Sequence, residues 1–311
     1  MPLAPEYQAL LAQLAETPGP PFTAMTPEEG RAAYRLMRPA NPEITVGHVT
    51  ERRIDGPGGP IGLRIYRPEG NGPFPVYVNF HGGGWVIGDL DTADAVCRDI
   101  CRTVGCVVVS VDYRLAPEHR YPAAMDDCYA ATCWVADHHQ DLQGNGKLAV
   151  GGESAGGNLA AAVCLRARDE AGPEIHFQML LYPVTDADFT RQSYVDNATG
   201  YILETETMQW FWDHYLPDAK RRAEAYASPL RAADLSNLPA ALVVTAEFDP
   251  LRDEGMAFAQ ALGDAGTSVE AVCYDGLVHD FFATAALFQV SRPPFEHACT
   301  QLRQALGNLE G

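Results

Sequence analysis

Beyond about residue 74 the chain alternates short, unbroken apolar runs with longer stretches in which apolar residues recur at helical spacing. The runs Val76–Phe80, Cys106–Val111, Leu148–Val150, Gln178–Tyr182, Ala241–Thr245 and Val269–Tyr274 read as strands. The stretches near 93–104, 123–138, 155–169 and 253–265 read as helices between them. Strands that are apolar throughout need cover on both faces. This alternation therefore predicts an α/β fold, a mostly parallel sheet flanked by helices. Upstream, Thr45–Arg67 alternates apolar and polar residues around the turn Asp55-Gly-Pro-Gly-Gly-Pro60 and predicts an antiparallel hairpin. With that hairpin the expected sheet has about eight strands.

Two regions break the rhythm. In the first 45 or so residues, Tyr7, Leu10, Leu11 and Leu14 recur at helical spacing and Thr17-Pro-Gly-Pro-Pro21 ends that helix. A second helix is expected over Pro27–Met37. Between Tyr182 and Ala241 lies a long insertion holding Thr207-Met-Gln-Trp-Phe-Trp-Asp-His-Tyr215, with Met208, Phe211, Trp212 and Tyr215 on one helical face.

Composition narrows the field of functions. A 311-residue chain that is 47% apolar can bury a sizeable core. A formal net charge of −19 argues against nucleic acid and anionic membranes as partners. No run approaches the roughly 18 apolar residues of a membrane span, so no stable membrane association is expected. The amino-terminal residues lack the basic and apolar regions of a secretory signal, and the expected location is the cytoplasm. The eight cysteines sit mostly in apolar contexts and suit small buried hydrophobes, so neither disulfide nor metal is assigned.

The chemistry concentrates in Lys147–Ala161. There Gly152-Glu153-Ser154-Ala155-Gly156 fits the G-x-S-x-G nucleophile elbow, with a strand before it and an alanine-rich helical run after it. A serine on such a turn exposes its hydroxyl, and flanking glycines avoid collisions with the neighbouring elements. The hydroxyl is a poor nucleophile until a histidine, oriented by a carboxylate, takes its proton. In the fold that carries this elbow the acid and then the histidine follow the serine in the chain.

Of His176, His214, His279 and His297, only His279 lies in a loop shortly after the last strand. The acid belongs to Thr245-Ala-Glu-Phe-Asp-Pro-Leu-Arg-Asp253. Asp249 is preferred because Pro250 holds it extended at the strand's carboxyl edge, Glu247 is its rival, and Asp253 is expected to open the next helix. After the strand Val76–Phe80 comes His81-Gly-Gly-Gly-Trp85. Its unshielded backbone N–H groups suit an oxyanion hole made of Gly82, Gly83 and Gly84 with Ala155. His81 is read as a loop-bracing hydrogen bonder.

These residues carry a family resemblance. The stretches His81–Asp91, Asp112–Ala124, Gly152–Gly157, Ala227–Leu230 and Asp249–Gly255, with the loop carrying His279, resemble the hormone-sensitive-lipase-type (bacterial family IV) carboxylesterases of the α/β-hydrolases. The resemblance covers the chain from about Arg64 onward. It implies ester hydrolysis through Ser154, Asp249 and His279 without a cofactor, acting on a small-molecule ester through an acyl-enzyme. It also implies a helical cap of residues 1–45 and 184–226 over a catalytic body of 46–183 and 227–311, and allows a homodimer.

Two departures stand out: Glu153 replaces the frequent aspartate of the elbow, and Asp280 replaces the frequent glycine after the histidine. Arg114 and Glu118 read as scaffold ion-pairing residues. Phe22, Met25, Trp85, Met208, Phe211, Trp212 and Tyr215 are candidates for the substrate pocket, although helical packing accounts for them equally well. The same triad chemistry serves an amidase, lactonase or formamidase, and a non-catalytic ligand binder is the reading that keeps the fold alone.

Overall fold

Every apolar run expected to be a strand becomes one. A computed structural model describes residues 1–16 and 18–307 of the chain. Thr17, first residue of the expected helix stop, and the last four residues of the body expected to run to 311 lie outside the described residues. The strands are β1 (His48–Ile54), β2 (Ile61–Arg67), β3 (Phe74–Phe80), β4 (Val107–Asp112), β5 (Gly144–Glu153), β6 (Phe177–Leu181), β7 (Ala240–Phe248) and β8 (Val269–Val278). They form one sheet in the order β1-β2-β4-β3-β5-β6-β7-β8. The expected hairpin β1–β2 is antiparallel, β2 joins β4 antiparallel, and the remaining pairs are parallel.

Side-chain alternation along the buried strands sorts the core into two layers. Val76, Val78 and Phe80 of β3 face one side, with α4 (Ala123–Asp137), α5 (Ala155–Asp169) and α8 (Arg252–Asp264) packed over it. Tyr77 faces the other, with α3 (Asp94–Ile100) and α9 (Arg292–Ala305). The central strand β3 is buried along its whole length, as a strand covered on both faces must be.

The amino-terminal region folds into α1 (Pro5–Glu16) and α2 (Pro27–Met37), both as expected. Tyr7 anchors α1 beside the carboxyl-terminal part of the chain, its hydroxyl 2.7 Å from Thr284 Oγ1 and 2.6 Å from Ser291 Oγ. Helix α2 starts with a capping box in which Thr26 and Glu29 satisfy each other's backbone N–H groups. The insertion carries the short α6 (Gln192–Asp196) and the aromatic helix α7 (Thr205–Tyr215). Its two ends meet at one side chain of α5: Asn158 Nδ2 donates to Val184 O and Ala227 O, each at 2.9 Å. Among the described residues no helix is long and apolar enough to cross a membrane.

One boundary differs in an informative way. The apolar run of β8 stops at Tyr274, and Asp275-Gly276 has the composition of a turn. Instead β8 continues to Val278, because an irregularity between Ala246 and Phe248 lets β7 and β8 resume pairing at Phe248 with Val278.

Candidate active site

Parallel strands point their carboxyl ends the same way, so the loops that follow them collect on one edge of the sheet. Phe80 of β3 pairs with Gly152 of β5, Glu153 of β5 with Leu181 of β6, and Phe248 of β7 with Val278 of β8. His81, Ser154, Asp249 and His279 are each the first residue after their strand. Four distant segments thus deliver their chemistry to one rim.

Ser154 joins β5 to α5 at φ 56°, ψ −116°, a conformation that strains any residue with a Cβ. Its N–H donates to Leu181 O at 2.9 Å and its carbonyl accepts from Asn158 N at 3.1 Å, so the strained turn is held from both sides. The flanking glycines are required by space: a Cβ at Gly152 would lie 2.1 Å from Phe80 O, and one at Gly156 1.8 Å from the same oxygen. The tight approach of elbow to β3 therefore brings the glycine loop beside the serine.

Of the two acids weighed in the sequence, Asp249 is the one beside the histidine. Its Oδ2 lies 2.7 Å from His279 Nδ1, and its Oδ1 accepts from Leu251 N at 2.8 Å. Glu247 is engaged elsewhere, with the Met1 amino group and with Gly276 N at 2.7 Å. Asp253 falls in the first turn of α8, as expected. The other histidines downstream of the serine stand elsewhere: His176 precedes β6, His214 is in α7 and His297 in α9. Burial depresses the His279 imidazolium, but the charge and hydrogen bond of Asp249, aided by Asp280 and Glu153, outweigh it, so its pKa is raised. A carboxylate cannot donate, so the Nδ1 proton faces Asp249 and Nε2 is left to accept.

The glycine loop has the backbone its composition suggests. Gly83 and Gly84 have φ of 111° and 57°, and among the described residues no acceptor takes up the N–H groups of Gly83, Gly84 or Ala155. His81 braces this loop: it stacks on Tyr113 with ring centroids 4.2 Å apart, and Nδ1 lies 2.8 Å from Gly82 O. Burial pushes its pKa down to about 4, so the ring is neutral at ordinary pH.

The candidate pocket residues divide by burial. Trp85, Trp212 and Tyr215 are fully buried, with Trp85 stacked on Tyr215 at 4.1 Å and edge-on to Trp212 at 4.9 Å. They fasten α7 to the glycine loop, and Met208 is buried with them in the same layer of core. Phe211 lies over the loop itself, where a Cβ on Gly84 would meet its ring at 2.1 Å. Phe22 and Met25 are half-buried, and the Phe22 ring is 6.4 Å from that of Phe211.

Other residues at the site had no signature in the sequence. Tyr182 donates from its hydroxyl to Glu153 Oε1 at 2.9 Å, and its ring meets His279 edge-to-face at 4.7 Å. Arg38, from the end of α2, reaches both Glu153 and Asp280 at 3.2 Å. Neither lies in a recognisable pattern, and only the fold brings them in. Arg114 binds Asp127 through two nitrogens, and Glu118 pairs with Arg31 of α2. Among the described residues no group of three or more His, Cys, Asp or Glu side chains is placed to hold a metal ion. A strained serine, a buried acid–histidine pair and backbone donors not used within the fold are the components of acyl transfer.

The chain is similar to known hydrolases over most of its length. A family described as the alpha/beta hydrolase fold matches residues 77–283, and the chain belongs to it, within the hormone-sensitive-lipase-like branch. It is 48% identical over 247 residues to the carboxylic ester hydrolase LipN of Mycobacterium tuberculosis, covering 77% of this chain and 65% of that one. It is 38% identical to the carboxylesterase NlhH of the same organism, over 97% of both chains. Among solved structures, a thermostable esterase from Pseudomonas putida superimposes with a TM-score of 0.94 at 42% identity, over 98% of both chains.

Proposed function

We propose that this protein is a serine carboxylesterase that hydrolyses short- to medium-chain esters with Ser154 as nucleophile, His279 as general base and Asp249 as its orienting acid. The observation that carries the reading is the 2.7 Å pair of Asp249 and His279 on the same sheet edge as the strained elbow serine. The esterase names of full-length relatives support it.

In this reading Ser154 Oγ attacks the ester carbonyl while His279 Nε2 takes its proton. Asp249 stabilises the resulting imidazolium, and the N–H groups of Gly83, Gly84 and Ala155, with Gly82 shaping the loop, hold the oxyanion. His279 then protonates the departing alcohol and the acyl group remains on Ser154. A water deprotonated by His279 releases the acid and restores the serine. Each oxyanion donor of this kind contributes about 3 kcal/mol to the transition state.

Residues 1–45 and 184–226 form the cap in this proposal, with Phe211, Phe22 and Met25 facing the substrate. Asn158, holding both ends of the insertion, supports that boundary. The protein works in the cytoplasm as a homodimer paired through β8, which is the last strand of the sheet. Gel filtration with light scattering tests the assembly, returning a monomer if it is wrong. The chemistry is tested with a chain-length series of aryl esters and matched aryl amides on wild type and Ser154→Ala. Ester turnover that disappears in Ser154→Ala is expected. Faster cleavage of the amide, or equal turnover in both proteins, refutes the proposal.

A further inference from the structure

The nucleophile elbow ends β5 and the base loop ends β8, and β6 and β7 lie between them in the sheet. No strand pairing joins the two catalytic segments directly. A side chain from the amino-terminal helical region does. Arg38 Nη2 lies 3.2 Å from Glu153 Oε2 and 3.3 Å from Glu153 Oε1, while its Nη1 lies 3.2 Å from Asp280 Oδ1. Glu153 immediately precedes Ser154, and Asp280 immediately follows His279.

We propose that Arg38 is a positioning residue that ties helix α2 of the cap to both halves of the catalytic machinery, the elbow through Glu153 and the base loop through Asp280. The inference rests on the serine-esterase reading above. Three features support it. First, the guanidinium is enclosed: its side chain is 11% exposed and that of Glu153 2%, and Tyr34 OH accepts from Arg38 Nη1 at 2.6 Å. The half-buried Asp280 carboxylate converges on the same cation, and removing the cation leaves the buried Glu153 charge uncompensated beside a like charge.

Second, the position of Arg38 is set by its own helix. Arg31 of α2 donates through Nε to Val86 O and through Nη2 to Ala116 O, both at 2.8 Å, and pairs with Glu118. Arg35 pairs with Asp89. Residues 31, 35 and 38 fall on one helical face, so α2 is fastened to the glycine loop's far end before Arg38 reaches the elbow. Third, the network continues to the base. Tyr182, bonded to Glu153 through its hydroxyl, sets its ring against His279. The planar guanidinium can serve two carboxylates in fixed directions, which an ammonium cannot.

The test compares Arg38→Met, Arg38→Lys and the Glu153→Gln/Asp280→Asn pair with and without Arg38→Met, using p-nitrophenyl butyrate. Misplacing reacting groups by about an ångström lowers turnover roughly 100-fold. Arg38→Met is therefore expected to lower kcat about 30- to 100-fold with KM within about threefold, and Arg38→Lys to retain an intermediate rate. In the pair background Arg38→Met should cost less than about fivefold, because there are no carboxylates left to bridge.

Circular dichroism checks folding. If Arg38→Met does not fold, Arg38→Lys and the neutral pair carry the comparison. Hydrogen exchange on the same proteins needs no turnover: peptides covering 150–156 and 277–283 should exchange faster together in Arg38→Met. A kcat within twofold of wild type, a loss confined to KM, an equal loss in the neutral pair or unchanged exchange in both peptides overturns the proposal. A wild-type protein that leaves the ester intact refutes the esterase reading instead, and the exchange result then decides the brace alone.

Discussion

Replacing Asp249 with asparagine preserves shape and removes one oxygen and one charge. The carboxylate accepts from Leu251 N at 2.8 Å through Oδ1 and faces His279 Nδ1 at 2.7 Å through Oδ2. If the asparagine oxygen stays with Leu251, its NH2 faces His279 and favours the tautomer with the proton on Nε2, the atom that must accept from Ser154. If the amide turns over, the buried Leu251 N–H faces an NH2, at about 1–3 kcal/mol. In both cases the imidazolium of the transition state has lost its buried counter-charge. The two losses together amount to about 4–5.5 kcal/mol, or roughly 10³- to 10⁴-fold in kcat.

The pH profile supplies a second reading of the same change. His279 works as a base only when neutral, and its pKa is raised above the ordinary 6.5. Wild-type kcat/KM should therefore fall as pH drops through a value above that figure. Burial alone depresses the imidazolium, and Asp249 provides the largest opposing push. Asp249→Asn should accordingly move the acid limb to lower pH. The assay is kcat and kcat/KM for an aryl ester from pH 5 to 9, with Glu247→Gln beside it, which should change kcat less than about threefold. An Asp249→Asn enzyme within tenfold of wild type and with an unmoved acid limb refutes the assignment of the acid.

Three further outcomes follow from the geometry. Ser154 is strained at φ 56°, so Ser154→Gly should be about 1–2 kcal/mol more stable to urea than Ser154→Ala, both being inactive; equal stability would contradict the strained elbow. Gly84→Ala places a Cβ 2.1 Å from the Phe211 ring at a positive φ, so it should lower kcat about 100-fold while the far-ultraviolet spectrum stays unchanged. Trp85→Ala removes a fully buried ring and should destabilise by about 3–5 kcal/mol in calorimetry, whereas Phe211→Ala should shift the acyl-length optimum with a smaller loss of stability.

Much of the site was legible because its chemistry is local. The elbow needs glycines on each side of the serine, and the oxyanion loop needs unshielded backbone, so both leave compact patterns at 152–156 and 82–84. The choice between Asp249 and Glu247 was only half legible. Both sit near the end of β7, and two residues along a strand separate them, so side-chain direction alone could not decide. Pairing across β7 and β8 did: Asp249 follows the last paired residue and meets His279, while Glu247 is drawn to Gly276 and the amino terminus. The aromatic face of α7 was legible as apolar but not as to its partner. All four of its members pack in the core, and Phe211 also overlies the glycine loop.

What the sequence determined by itself is what depends on period and on neighbours in the chain: the alternation of strand and helix, the hairpin, the elbow, and the order serine, acid, histidine. What only the tertiary structure decided is what depends on strand order and on long side chains reaching across it. Arg38 lies 115 residues from Glu153 and 242 from Asp280, with no pattern linking them. They meet because a sheet ordered β5-β6-β7-β8 leaves two strands between the elbow and the base loop, and a buried guanidinium held by α2 spans that gap. Local patterns report which groups can do chemistry; packing at long range sets the distance between them.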